Sequence, residues 1–283
     1  MADAAAIHPP GWDAHVHVFE AAAPVRTGHY RPETRTLAEV EAVGARRGIG
    51  RLVLVQPSVY GTDNRVLLRA LREHPGRHRG VAVVDESIAD ADLDALHDAG
   101  VRGVRFNMVS PVGNGDAALQ ALAPRLRERG WHVQWYVRPA QLPGLVQLQH
   151  RTGLTFVLDH LAGIALGIPD ADLHWDALAE LAAGGAWLKL SGWYRLGSSA
   201  PYFDMAALIA RASTPFQGRL VWGSDWPHTS LPFEPAPRHA SLLAPMRLAL
   251  GEAATQAVLN DRAAMLYGAG EQDAGLPLPP RSP

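Results

Sequence analysis

Residues 51–84 read RLVLVQPSVYGTDNRVLLRALREHPGRHRGVAVV, and they hold one complete structural unit. The run 51–55 is almost wholly apolar, as a strand covered on both faces must be. Residues 64–73 then place Val66, Leu67, Ala70 and Leu71 on one face of a helix. Gly76 breaks that helix, and a second apolar run follows at 80–84. Strand, helix and strand in this order make a parallel, right-handed crossover.

The same unit recurs along the chain. Further strands are expected at 12–16, 102–106, 132–137, 155–158, 187–190 and 219–222. Helical patterns fall at 36–47, 90–99, 116–129, 139–150, 172–183 and 203–212. Gly48, Gly100, Gly130, Gly153 and Gly218 stand just before strands, as Gly76 does. Eight strands alternating with helices predict a single-domain (β/α)8 TIM barrel over residues 1–268, followed by a Pro/Gly-rich tail at 269–283. An open doubly wound sheet is the structural alternative, but its Gly-rich turn after the first strand is missing.

The chain of 283 residues is 47% hydrophobic, enough to fill one such barrel. Its formal charge is −2, and no basic patch marks a nucleic-acid partner. There is no cysteine, so disulfides and thiolate metal sites are excluded and any metal must be held by His, Asp or Glu. No apolar run approaches the ~20 residues that span a bilayer, and residues 1–10 lack the pattern of a signal peptide. A cytoplasmic protein is expected. Trp and Pro toward the C-terminus are compatible with a homodimer.

In a (β/α)8 barrel, chemistry gathers at the C-terminal ends of the strands. That rule selects His15 and His17 after the first strand, Ser58 after the second, Arg105 and Asn107 on the fourth, Tyr136 on the fifth and His160 after the sixth. It adds Arg195 after the seventh strand, and Asp225 and His228 after the eighth. Spacing of two on a strand points His15 and His17 the same way, to bind a metal or to donate to an oxyanion. The bland alternative is one structural and one exposed histidine. Asp225 suits a metal ligand or a general base toward water, against a plain capping role before Pro227. Arg105 and Arg195 are forks suited to a carboxylate, although most of the 25 arginines are surface residues.

The ordered set Asp13-Ala14-His15-Val16-His17, Asp159-His160 and Trp222-Gly223-Ser224-Asp225-Trp226-Pro227-His228 resembles the amidohydrolase superfamily. More narrowly it is similar to the metal-dependent hydrolase-like branch that includes 2-pyrone-4,6-dicarboxylate lactonase and sugar-acid lactonases. Residues 55–64, 103–107, 260–262 and 266–268 agree, so the likeness covers nearly the whole chain. The resemblance implies a hydrolase with His15, His17, His160 and Asp225 at its centre, and with Arg105, Tyr136 and Arg195 at substrate-binding positions. Met108 to Pro111 and Leu161 to Gly163 carry no arginine, which points to a substrate with one carboxylate, or a sugar lactone, rather than a dicarboxylate.

The resemblance further implies a hydrolase that opens a lactone without an obligatory cofactor. Arg105 and Tyr136 stand where dinuclear members have ligands, which leaves at most a single Zn or other divalent metal on His15, His17 and Asp225. The expected mechanism has Arg105, Arg195, Tyr136, Ser58 and Asn107 binding a small lactone or carboxylic acid. The histidines polarise the carbonyl, Asp225 activates water, and His228 supports the loop from behind. The alternatives are a mononuclear zinc amidohydrolase or decarboxylase, a lactone isomerase, and a non-catalytic barrel that binds a small acid.

Overall fold

The computed structural model describes residues 11–26, 30–110, 116–169, 173–229 and 237–268. The expected tail at 269–283 lies outside them. The strands are β1 (Gly11–Val16), β2 (Ile49–Val55), β3 (Arg79–Ala82), β4 (Val101–Asn107), β5 (His132–Tyr136), β6 (Phe156–Leu158), β7 (Trp187–Leu190) and β8 (Leu220–Trp222). All neighbours pair in parallel and in chain order from β1 to β8. Helices α1 (Leu37–Ala45), α2 (Arg65–Glu73), α3 (Asp90–Asp98), α4 (Ala117–Glu128), α5 (Leu142–Thr152), α6 (His174–Ala183) and α7 (Ala206–Ser213) fill the crossovers. This is the (β/α)8 barrel that the alternation predicts. One crossover escaped the sequence reading: β8 is followed by α8 (His239–Leu250), then α9 (Glu252–Ala257) and α10 (Ala263–Tyr267).

Local chemistry sets the element ends. Thr36 caps α1 in a reciprocal box, accepting from the Glu39 amide while the Glu39 carboxylate accepts from the Thr36 amide. Gly153 ends α5 in the left-handed conformation at φ 61°. On β2, Leu52 and Leu54 pack outward in the layer under the helices, whereas Val53 and Val55 join a separate inner cluster. That inner cluster gathers Trp12, Ala14, Val81, Val157, Trp187 and Val221 with Ala263 and Tyr267 of α10. Helix α10 thus plugs the end where the strands start, with Tyr267 stacked on Trp12 at 6.0 Å. The opposite end holds the polar residues.

The barrel closes between β1 and β8, and it closes at the functional motif. Val16 bridges to Trp226, the Asp225 amide donates to the His15 carbonyl at 2.9 Å, and the His17 amide donates to the Trp226 carbonyl at 2.8 Å. Asp13 Oδ1 accepts from the Ser224 amide at 2.8 Å. Gly223 makes this seam feasible, since a Cβ there would lie 2.4 Å from His15 Cβ. Among the described residues no helix is long and apolar enough to cross a membrane.

Candidate active site

His15, His17 and Asp225 converge at the closing seam. His15 Nε2 lies 3.3 Å from His17 Nε2, 3.6 Å from Asp225 Oδ1, and His17 Nε2 is 3.4 Å from the same oxygen. His17 Nδ1 is 2.7 Å from the Val55 carbonyl, which can only accept, so Nδ1 carries a proton, and in the neutral ring Nε2 presents a lone pair. His15 is fully buried and does not reach the cleft wall, whereas His17, His160 and Asp225 do.

A charged layer lies beneath. Lys189 is fully buried, with Nζ 2.7 Å from Gln134 Oε1, 3.1 Å from Asp159 Oδ1 and 3.3 Å from His15 Nδ1. Asp159 Oδ2 accepts from Gln134 Nε2 at 3.0 Å and from Arg105 Nε at 3.2 Å. Burial alone raises the Asp159 carboxyl, but Lys189, His15 and Arg105 outweigh it and hold the group well below the usual carboxylate range. Burial lowers His15 well below an ordinary imidazole; Asp159 opposes this and Lys189 adds to it. Of the two residues that anchor this layer, Asp159 stands at its strand end beside His160 but is given no role by sequence reasoning, and Lys189 is not selected at all. The signal for Lys189 was available: it is the sole lysine, set in a strand of otherwise apolar residues.

Asp225 is fixed from its other oxygen. Arg195 Nε donates to Oδ2 at 2.8 Å, and the Tyr194 hydroxyl donates to the same atom. Arg195 Nη2 also donates to the Thr229 carbonyl at 3.0 Å. Strand alternation points to Trp193 and Arg195, not Tyr194. The rule fails because Gly192 takes φ 69° and Trp193–Arg195 form a 3₁₀ turn, replacing a period of two by three. Trp193 therefore turns into the core, where Nε1 donates to the Leu242 carbonyl at 2.8 Å. Burial raises the Asp225 carboxyl, yet Arg195, His160, His17 and His15 together keep it well below its ordinary value. The His228 amide donates to the Asp225 carbonyl at 2.8 Å, and its ring meets the Tyr194 ring edge-on at 5.8 Å. His228 thus braces the loop and the tyrosine.

His160 Nδ1 lies 2.9 Å from Ser191 Oγ, and its ring stands edge-on to Tyr136 at 4.8 Å. Burial lowers its pKa to about 4, so it is neutral near pH 7. Both His160 (φ 49°) and Asp225 (φ 61°) occupy the left-handed region, which costs non-glycine residues on the order of 1 kcal/mol each. Such strain clusters at working sites because the surrounding structure is spent on aiming a side chain.

These groups form the floor of a cleft of about 200 Å³. Its walls include Ser58, Arg105, Asn107, Tyr136 and Arg195, so the structure brings the sequence-predicted set together. Asn107 Nδ2 donates to Ser58 Oγ at 2.6 Å, while Asn107 Oδ1 accepts from the Val109 and Ser110 amides. The Arg105 guanidinium sits 5.6 Å from the Tyr136 ring centre. Tyr30 and Thr229 also line the cleft, and both lie on loops that strand rules do not reach.

The donor spacing fits a metal. Tetrahedral zinc with bonds of ~2.1 Å sets its ligand atoms about 3.4 Å apart, the spacing of His15, His17 and Asp225. Ligand atoms of His15, His160 and Asp225 also lie within 4.8 Å of one another. Asp225 Oδ1 is buried and has no hydrogen-bond partner among the described residues, as an oxygen kept for a cation or a proton would be.

A closed parallel barrel with imidazoles, two buried carboxylates and arginines at the strand ends belongs to the class of barrel hydrolases. The chain is a member of the amidohydrolase family, whose model matches residues 12–269. It is 34% identical to the 2-pyrone-4,6-dicarboxylate hydrolase of Comamonas testosteroni over 77% of each chain. It is 32% identical to the 4-sulfomuconolactone hydrolase of Rhizobium radiobacter, over 93% of this chain and 91% of the relative. Among solved structures, a candidate 2-pyrone-4,6-dicarboxylic acid hydrolase from Pseudomonas putida superposes with a TM-score of 0.79 at 33% identity, over 93% of this chain and 98% of that one.

Proposed function

We propose that the protein hydrolyses a small lactone that carries an acidic group. The observation that supports this most is a pair of proton acceptors on the cleft floor. Asp225 Oδ1 and His17 Nε2 stand 3.4 Å apart, with Arg105, Arg195 and His160 around them. A water seated there gives a proton to Asp225 as it attacks the ring carbonyl. His160, accepting at Nδ1 from Ser191, donates from Nε2 to the developing oxyanion. One such donor is worth about 3 kcal/mol. Asp225 then returns the proton to the leaving alkoxide. Arg105 with Tyr136, Asn107 and Ser58 receives the acidic group, while Arg195 adds charge to the cleft as it holds Asp225. Two relatives named as hydrolases of acidic lactones agree with this reading.

A second reading rests on the metal-like spacing. His15, His17 and Asp225, with His160 beside them, would hold one divalent cation. That cation would supply Lewis-acid polarisation of the scissile carbonyl, as in a mononuclear zinc amidohydrolase.

The test is an assay of chelator-dialysed protein on lactones bearing carboxylate, sulfonate or sugar groups, followed by acid release in weak buffer. Turnover without metal supports the first reading. Activity that returns only with zinc supports the second, and no turnover on any lactone under either condition removes both.

A further inference from the structure

Three hydrogen bonds run in series across the site. Lys189 Nζ is 3.3 Å from His15 Nδ1, His15 Nε2 is 3.3 Å from His17 Nε2, and His17 Nδ1 is 2.7 Å from the Val55 carbonyl. The ends of this chain cannot be reversed. An ammonium has three donors and no acceptor, and a carbonyl oxygen accepts only. With neutral rings every proton between them is then fixed. The Val55 carbonyl places a proton on His17 Nδ1, so His17 Nε2 accepts. His15 Nε2 must therefore carry a proton, and His15 Nδ1 accepts from Lys189.

We infer that Lys189 is a positioning residue that fixes His15 as its Nε2–H tautomer and thereby biases the site against binding a metal ion. A protonated Nε2 has no lone pair for a cation. The opposite tautomer has a partner within reach, since Asp159 Oδ1 lies 3.4 Å from His15 Nδ1, although Lys189 Nζ also approaches that oxygen at 3.1 Å. A proton on His15 Nδ1 directed at Asp159 would free Nε2 to ligate, which is the carboxylate–histidine arrangement that metal sites use. Lys189 occupies Nδ1 instead.

Charge works in the same direction. Asp159 is already paired with Lys189 and Arg105, and Asp225 with Arg195, in a buried space. A divalent ion would enter a cluster whose two carboxylates are already matched by cations. The geometry that suits zinc therefore also suits a hydrogen-bonded imidazole pair at 3.3 Å, and Lys189 selects between them. The inference concerns the same site as the proposed function, but not the identity of the substrate.

The experiment is nitrogen NMR on protein labelled with ¹⁵N in histidine, with the His15 signals assigned by their loss in His15→Gln. In the wild-type chain His15 should show a protonated Nε2 and a bare Nδ1. The reverse pattern in the wild-type chain overturns the inference without need of a variant. Lys189→Met should move the proton to Nδ1. It should also raise the affinity for zinc at least tenfold, read by competition with a chromogenic chelator. Lys189→Gln, whose amide can still donate to His15, should keep the wild-type tautomer and weak zinc binding. Equal zinc affinity in the wild-type and Met chains, or no change of tautomer in Met, defeats the proposal. Both readouts use resting protein, so failure of the lactone assay would leave them standing.

Discussion

Arg195 Nε donates to Asp225 Oδ2 at 2.8 Å and leaves Oδ1 as the oxygen that faces His17 and the cleft. One carboxylate is thus divided into a held side and a working side. Arg195 is also the main attractive cause of the low Asp225 pKa. Arg195→Gln should therefore raise that pKa and bring an acidic limb into the pH profile of kcat/KM at higher pH than in the wild-type enzyme. Profiles of both proteins on one lactone measure this. Superimposable acid limbs would show that Arg195 does not tune Asp225.

Asp225→Asn keeps the shape of the side chain and removes its capacity to take a proton. Loss of a positioned acid–base group costs about 10²–10⁴ in rate. The variant should lose at least 100-fold in kcat, with substrate affinity within a few-fold, read as kcat beside a Kd from calorimetry. A chain that keeps its kcat would remove Asp225 from the proton-transfer role, and a chain with no detectable catalysis in either form would favour the binding-only barrel.

Gly223 lets β8 approach β1 where the barrel closes. A Cβ there would meet His15 Cβ at 2.4 Å and the His15 amide nitrogen at 2.8 Å, both on rigid backbone or its first side-chain atom. Gly223→Ala should lower stability by about 1–3 kcal/mol, as overpacking does in a dense interior, and should impair activity further by moving His15. Urea denaturation and kcat on the same samples check this. An unchanged midpoint would mean that the seam can relax.

Besides His15, four buried histidines are held neutral, with burial as the main cause in each. His78, His160 and His228 are pushed down to about 4, and His132 to about 3. In the unfolded chain each titrates near 6.5. The folded pKa values are depressed, so between about pH 6.5 and 4 the unfolded chain binds more protons and stability falls as pH falls. With nearly four protons taken up, the slope reaches about 5 kcal/mol per pH unit near pH 5. Cooperative acid unfolding is expected at or slightly below pH 5, before the low-pKa carboxylates Asp159 and Asp225 titrate. Denaturant midpoints at pH 7, 6 and 5 measure this, and a flat series would contradict it.

The strands, the helices of seven crossovers and the barrel itself were legible in the sequence. Each depends on local periodicity and on glycine at helix ends, and those signals act within about ten residues. Strand ends in a barrel share one mouth, so His15, His17, Arg105, Asn107, Tyr136, His160, Arg195 and Asp225 could be gathered from position alone. What lay below the mouth could not. Lys189 and Gln134 look like ordinary strand residues until β5 and β7 bring them to Asp159 and His15.

The sequence by itself therefore determined which residues reach the working end, because alternation along a strand and strand order are properties of nearby residues. Only the tertiary structure decided what each group does there. The turn at Gly192 exchanged Trp193 for Tyr194 beside Asp225. Closure of the barrel set Lys189 of β7 against His15 of β1. The physical reason is that the proton positions and charges of buried groups are fixed by partners within about 4 Å, and, the His15–His17 pair aside, the side-chain partners named here stand 25 or more residues away in the chain, Lys189 and His15 being 174 apart.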